Sequence, residues 1–159
     1  MGSTLIEKII EKNTGLSKVT PGQIVTVNVD RVMIHDIFIP FVKEKFEEMG
    51  FTKIWDPDKA VLIYDHLVPA SQVDDTRHFR IGNEFVEKYG MKNIHRSDGI
   101  CHQLMTEAGY VKPGDVVFGT DSHTTTYGCV GAFSSGIGYT EMASILGTGT
   151  CLLYTSPSP

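Results

Sequence analysis

The sequence predicts an α/β fold, a three-layer α/β/α arrangement with a mainly parallel sheet, on three observations. Amphipathic helical patterns alternate along the chain with short apolar runs. The runs at residues 60–64 and 116–118 lack polar alternation, as suits strands covered on both faces. Each run leads into a cluster of acid and imidazole residues, Asp65-His66 after the first and Asp121-Ser122-His123 after the second. Open α/β sheets collect their chemistry at the carboxyl ends of strands.

The elements follow in order. Thr4 and Glu7 make a T-x-x-E capping box around Leu5, Ile6, Ile9 and Ile10, so the chain opens with an amphipathic helix. Pro21-Gly22 turns it into residues 24–30, where Val25, Val27 and Val29 alternate with polar residues as in a half-buried strand. Phe41, Val42, Phe46 and Met49 mark a helix face that stops at Gly50. After the strand at 60–64, residues 71–89 predict a helix with Phe79, Ile81, Phe85 and Val86 apolar and Gly90 at C′. His102 stands near the start of a further helix. Residues 116–118 are a short buried strand, and 140–146 a final helix. The Gly-rich run 128–138 opens toward that helix; it suits an anion cradle less than close packing of a loop on the sheet. No internal repeat is found.

Composition excludes several function classes. A net charge of −5 and a pI near 5.6 offer no basic patch, so nucleic acid is not expected as a partner. No apolar run approaches the ~18 residues that span a membrane, and the N-terminus lacks a signal-peptide pattern. Three cysteines make no disulfide framework. A reducing, cytoplasmic setting is expected.

The polar corners admit more than one chemistry. A carboxylate beside an imidazole, as in Asp65-His66, holds one tautomer and raises its basicity, which suits a general acid; the bland reading is a strand-end histidine bonded to a backbone carbonyl. Asp121 and His123 suit hydrogen bonding to a metal-bound hydroxyl or water, with the Ser122 hydroxyl donating to a carboxylate, but Asp and Ser also shape turns and caps. His102 serves either a site or a helix start. His78 and His95 match no motif and read as surface residues. Two alternatives stay open: a mononuclear zinc hydrolase with His66, His102 and His123 as ligands, and a non-catalytic α/β module whose polar corners only cap strands.

Four motifs carry a resemblance. Asp30-Arg31-Val32-Met33-Ile34-His35-Asp36, Tyr64-Asp65-His66-Leu67-Val68-Pro69, Ser97-Asp98-Gly99-Ile100-Cys101-His102-Gln103 and Gly119-Thr120-Asp121-Ser122-His123-Thr124 occur in the order and approximate spacing of the aconitase family. From about Leu5 to Thr150 the chain resembles that family, and within it the N-terminal part of the large subunit of isopropylmalate dehydratase-type hydro-lyases. The resemblance implies a truncated fold like the first aconitase domain. It also implies a [4Fe–4S]-dependent hydro-lyase that dehydrates and rehydrates a 2-hydroxy di- or tricarboxylic acid such as isopropylmalate. Homoaconitate, 2,3-dimethylmalate and citrate are the alternative substrates.

The same resemblance casts Asp65, His66, His102, Asp121 and His123 as catalytic, with Asp65-His66 donating the proton that lets the hydroxyl leave. His35 and Ser122 are cast as substrate-binding. Aconitase proper tends to carry Gln where His35 stands, which tilts the substrate away from citrate. The implied partners are the hydroxy-acid substrate and a small subunit bearing the swivelling domain. The family's cluster ligands are a lone Cys and a later C-x-x-C, and no C-x-x-C occurs here; Cys101 and Cys129 do not match ligand positions. The family's deprotonating serine lies in a further domain or the small subunit. This chain is therefore expected to hold no cluster and to be inactive alone.

At 159 residues the chain buries one sizeable core, whereas the family's large subunits are several times longer, so it reads as a fragment. Residues 1–150 read as the N-terminal part of the α/β/α large subunit. Residues 151–159 show neither periodicity nor a helix stop and look like a translated sequencing-library adapter, a non-native tail.

Overall fold

The computed structural model describes residues 2–155. Its strands are β1 Ile24–Asn28, β2 Arg31–His35, β3 Ala60–Ile63, β4 Asn93–His95, β5 Val116–Gly119, β6 Phe133–Gly136 and β7 Thr150–Tyr154. The helices are α1 Leu5–Thr14, α2 Ile39–Glu48, α3 Asp75–Tyr89, α4 Cys101–Glu107 and α5 Tyr139–Thr148, with a 3-10 helix over Ser122–Val130.

Five strands form a wholly parallel sheet in the order β4-β3-β2-β5-β6. The chain adds strands on one side of β2, then crosses back to add β5 and β6 on the other. Such a reversal opens a crevice at the carboxyl ends of the strands. Strand residues alternate between two cores. Val32, Ile34, Leu62 and Phe118 meet apolar residues of α1, α2, α3 and α5. Met33, Val61, Ile63 and Val117 meet Cys101 and Met105 of α4 and Tyr127 of the 3-10 helix. The sheet is thus covered on both faces, the three-layer arrangement expected.

Local chemistry sets the element ends. The Thr4 hydroxyl accepts the Glu7 N–H at 3.2 Å, and the Thr4 N–H donates to Glu7 Oε2 at 2.6 Å, closing the capping box. Helix α3 starts at Asp75 rather than at residue 71, because Asp75 Oδ2 accepts the Ser71 N–H at 2.8 Å and the Ser71 hydroxyl at 2.9 Å. That carboxylate organises residues 71–74 into a turn ahead of the helix.

A second strand, Arg31–His35, follows where none was expected, and the strand expected over 24–30 stops at Asn28. Asp30 breaks it: its N–H donates to the Val116 carbonyl at 2.9 Å, and its Oδ2 accepts the Val116 N–H at 2.8 Å. Strand β1 leaves the sheet and pairs antiparallel with β7, while β2 becomes the central strand. The Gly-rich run 128–138 contains β6, not only a loop. Residues 151–154, expected to carry no element, belong to β7 with Val27 opposite Cys151 and Thr26 opposite Leu152. The reason is period-two burial: Cys151 and Leu153 pack on the core, while Leu152 and Tyr154 face out. Residues 156–159 lie outside the described residues.

Candidate active site

The carboxyl edge of the sheet gathers the acid and imidazole residues. Strand β2 ends in His35 with Asp36 next in the turn, β3 runs on toward Asp65 and His66, and β5 delivers Asp121 ahead of the 3-10 helix. Helix α4, reached from the end of β4, presents His102. Asp121 is the hub. Its Oδ1 lies 2.9 Å from His102 Nε2 and 3.3 Å from His123 Nδ1, and its Oδ2 lies 3.6 Å from His66 Nε2. On the far side of His66, Nδ1 lies 2.7 Å from Asp65 Oδ1. His35 stacks on His66 with ring centroids 4.3 Å apart. Six of the seven sequence-predicted residues are thereby joined. Ser122 stands at the rim, exposed, with its Oγ 3.4 Å from His123 Nδ1.

The electrostatics divide the groups into clear states. Burial pushes the Asp65 carboxyl up, but the Cys101 amide and thiol and the His66 imidazole together hold it below the usual carboxylate range. Burial likewise opposes the His123 amide and His102 at Asp121, and they prevail, keeping that carboxyl low as well. An ionised carboxylate only accepts, so the His66 Nδ1 facing Asp65 carries a proton. His35 is the opposite case. Burial first, then the neighbouring His66, lower its pKa from 6.5 to about 4, so near neutral pH it is an uncharged imidazole. Its Nδ1 is buried and has no hydrogen-bond partner among the described residues.

Several supporting residues carry no motif signal of their own. Asp36, fully buried, accepts the backbone N–H groups of Ile37 at 3.0 Å, His66 at 3.3 Å and Leu67 at 2.8 Å. It fixes the loop after β3; its place at the end of the first motif was the available signal. The Thr120 hydroxyl accepts the His35 N–H at 3.1 Å, and the Thr124 hydroxyl donates to the Asp121 carbonyl at 2.6 Å. The Tyr127 hydroxyl lies 3.5 Å from His102 Nδ1. His78 and His95, expected on the surface, are half-buried and bonded. His78 Nδ1 donates to the Asp36 carbonyl at 3.1 Å, and His95 bridges the Asp98 carboxylate at 2.7 Å and the Tyr110 hydroxyl at 2.9 Å.

The model of the aconitase family (aconitate hydratase) matches residues 7–158. The chain belongs to the aconitase family. Over 150 residues it is 45% identical to the 3-isopropylmalate dehydratase large subunit 1 of Methanopyrus kandleri, an alignment covering 94% of this chain and 36% of that protein. It is 41% identical to a probable methanogen homoaconitase large subunit of Methanothermobacter thermautotrophicus, over 91% of this chain and 35% of that one. With the 3-isopropylmalate dehydratase large subunit of Aquifex aeolicus the identity is 39%, over 94% and 35%. The chain thus spans 35–36% of the length of these curated relatives.

Membership of the aconitase family raises the question of an iron–sulfur cluster, which thiolates hold. Cys129 is exposed, Cys151 half-buried and Cys101 buried. Burial first, then Asp65, push the Cys101 thiol far above its ordinary range. Among the described residues no cysteine belongs to a group of three close donor side chains. They therefore do not fit such a cluster. What this edge offers is nitrogen and oxygen donors, in three groups: His35–His66–Asp121, His102–Asp121–His123 and Asp36–Asp65–His66. The all-histidine set His66, His102 and His123 is not among them, because Asp121 stands between the rings.

The sheet edge therefore has a protonated imidazole nitrogen held by Asp65, a second imidazole bonded to Asp121, and a neutral imidazole stacked beside them. Such a set can pass a proton to an oxygen and bind a hydroxyl-bearing anion. Among the described residues no helix is long and apolar enough to cross a membrane.

Proposed function

We propose that residues 1–150 form the acid-side part of the large subunit of a hydro-lyase. It dehydrates and rehydrates a 2-hydroxy di- or tricarboxylic acid of the isopropylmalate type. The single observation that carries this reading is the continuous line Asp65–His66–Asp121–His102, with contacts of 2.7, 3.6 and 2.9 Å at one sheet edge. In dehydration the substrate C–O bond breaks as the proton on His66 Nε2 moves to the leaving oxygen, releasing water. The proton on the adjacent carbon goes to a base outside the described residues. The step needs His66 as the imidazolium: Asp65 accepts its Nδ1–H, the Nε2 proton is the one transferred, and His66 is left neutral with Nδ1–H still held by Asp65. The Asp121 carboxylate, with Oδ2 3.6 Å from His66 Nε2 and Oδ1 bonded to His102, stabilises the positive charge of that imidazolium. His35, uncharged, hydrogen-bonds the substrate, and Ser122 donates to a substrate carboxylate at the rim.

The family's [4Fe–4S] cluster, its ligands and the deprotonating serine belong to the remaining length of the complete enzyme and its small subunit. The names of the relatives support isopropylmalate or homoaconitate as substrate. The decisive experiment uses the complete, cluster-loaded enzyme with its small subunit, assayed for formation of the unsaturated acid. Isopropylmalate, homoaconitate, 2,3-dimethylmalate and citrate are offered in parallel. His66→Ala is expected to lower turnover by about 10²–10⁴-fold, the usual weight of a general acid, with the cluster spectrum unchanged. Near-normal turnover would remove His66 from the mechanism.

A further inference from the structure

We propose that Tyr127 is a positioning residue for the acid side of the reaction: its buried hydroxyl donates to His102 Nδ1 and holds that ring with Nε2–H on Asp121. Its weight in the reaction rests on the hydro-lyase reading; the hydrogen-bond assignment does not. Tyr127 lies in the 3-10 helix and has no accessible surface. Its ring shares one apolar cluster with Met33, Val61 and Val117 of the sheet and with Cys101 and Met105 of α4. The arrangement is therefore made wholly by this chain, whatever covers the sheet edge in the complete enzyme.

The direction of each hydrogen bond follows from the partners. Asp121 is ionised and only accepts, so His102 Nε2, 2.9 Å from its Oδ1, carries a proton. The Tyr127 hydroxyl lies 3.5 Å from the other nitrogen, Nδ1, and has no second polar partner among the described residues. Burial first, then Cys101, Asp121 and Asp65, push the phenol far above its ordinary range, so it keeps its proton. Were Nδ1 protonated as well, that phenolic hydrogen would be a buried donor without an acceptor, which folded proteins avoid. Nδ1 therefore offers its lone pair, and donation runs from Tyr127 through His102 to Asp121.

One short helix thus grips both nitrogens of an imidazole carried by another. Asp121 caps the 3-10 helix and Tyr127 stands two turns further along it, so a single element sets the tilt and the tautomer of His102. Each donation polarises the next: accepting from Tyr127 makes Nε2–H a stronger donor to Asp121. His102 held in this form is uncharged and adds no second positive charge beside Asp121. The carboxylate's charge is left for the His66 imidazolium, whose Nε2 lies 3.6 Å from Oδ2.

Nitrogen NMR on the 159-residue chain tests the assignment without any turnover. Near neutral pH His102 is expected to carry its proton on Nε2 alone, and the Tyr127 hydroxyl proton to be visible and slow to exchange. Tyr127→Phe keeps the ring and removes the hydroxyl. The Nδ1 signal is then expected to move toward that of a free, unprotonated nitrogen, and Nε2–H to exchange about fivefold faster, the weight of one hydrogen bond. Tyr89→Phe, which removes a hydroxyl bonded to Glu47, should change neither. A proton on Nδ1 in the unaltered chain overturns the assignment, and that result needs no variant. So does an unchanged His102 in a Tyr127→Phe chain that circular dichroism shows to be folded. In the complete, cluster-loaded enzyme with its small subunit, Tyr127→Phe should lower kcat by about fivefold with KM unchanged. An altered His102 signal with parental kcat would overturn the positioning role yet leave the hydro-lyase reading, which His66→Ala decides separately.

Discussion

The Cys101 N–H donates a 2.7 Å hydrogen bond to Asp65 Oδ2, while the other oxygen of the same carboxylate holds His66. One side chain at the end of β3 therefore orients the His66 imidazole, the proposed general acid, and also anchors the first turn of α4. That turn carries His102.

Asp65→Asn separates these duties from mere shape. The amide is isosteric, but it lacks the charge that holds the His66 Nδ1 proton. In the complete enzyme, turnover is expected to fall by about 10²–10⁴-fold. In the isolated chain, nitrogen NMR is expected to report a changed His66 tautomer, and the Cys101 amide to exchange faster. An unchanged imidazole spectrum would show that Asp65 does not set the tautomer.

Acid should weaken the fold before most carboxylates titrate. His35 titrates near 6.5 when unfolded and at about 4 when folded. Between those values the unfolded chain binds more protons, so stability falls as pH falls from about 6.5 to about 4. The full loss is roughly 3 kcal/mol at 1.36 kcal/mol per pKa unit. Asp36, raised by burial, acts in the opposite direction because the folded chain protonates it first. Asp65 and Asp121 are held low, and their stabilisation is lost only at more acid pH. Urea unfolding between pH 7 and pH 5 measures the slope, which His35→Gln should flatten. Equal slopes in the two proteins would exclude His35 as the source.

Gly136 is expected to resist any side chain. A Cβ there would lie 2.5 Å from the Asp121 carbonyl oxygen and 2.9 Å from Ser122 Cα, both backbone atoms with nowhere to swing. Gly136→Ala should cost about 1–3 kcal/mol as an overpacked site and displace Asp121. Gly128→Ala, with nothing within 4 Å, should stay within about 0.5 kcal/mol of the parent. Denaturant midpoints compare the two, and equal midpoints would refute the close-approach argument.

Tyr110→Phe tests the second imidazole bridge. His95 links Asp98, just before α4, to Tyr110, just after it. Removing the hydroxyl while keeping the ring under Arg31 should cost about 1 kcal/mol, the usual net value of a hydrogen bond. Amide exchange over residues 97–101 should rise. Unaltered exchange there would mean that the bridge does not restrain the segment delivering His102.

Sequence reasoning succeeded where burial is extreme or a cap is local. Residues 60–64 and 116–118 are unbroken apolar runs, and Thr4, Glu7 and Gly90 announce helix ends within one turn. It failed where the deciding partner lies far along the chain. Nothing near Asp30 announces its bonds to Val116, so the first strand reads two residues too long and β2 is missed. Phe133-Ser134-Ser135-Gly136 reads as a loop, and becomes β6 only because β5 offers it a free edge. For the site, the motifs pointed to residues that the fold brings to one sheet edge, but the central position of Asp121 depends on distances between residues about twenty and more than fifty positions apart. Asp36 and Tyr127 were missed for the same reason: their value lies in what they touch.

The reversal at β2 also has a consequence in time. Strands β2, β3 and β4 with α2 and α3 lie within residues 31–95, and each pairs with a neighbour close along the chain. Strand β5 must return to β2 across a far longer loop, with Arg31 set against Val117. Closing longer loops costs more entropy, and such pairings form more slowly. Asp65 and His66 belong to the early half, and Asp121 and His123 to the late one. The meeting of His66 with Asp121 therefore marks completed folding, and a half-folded chain carries its imidazoles without the carboxylate that organises them.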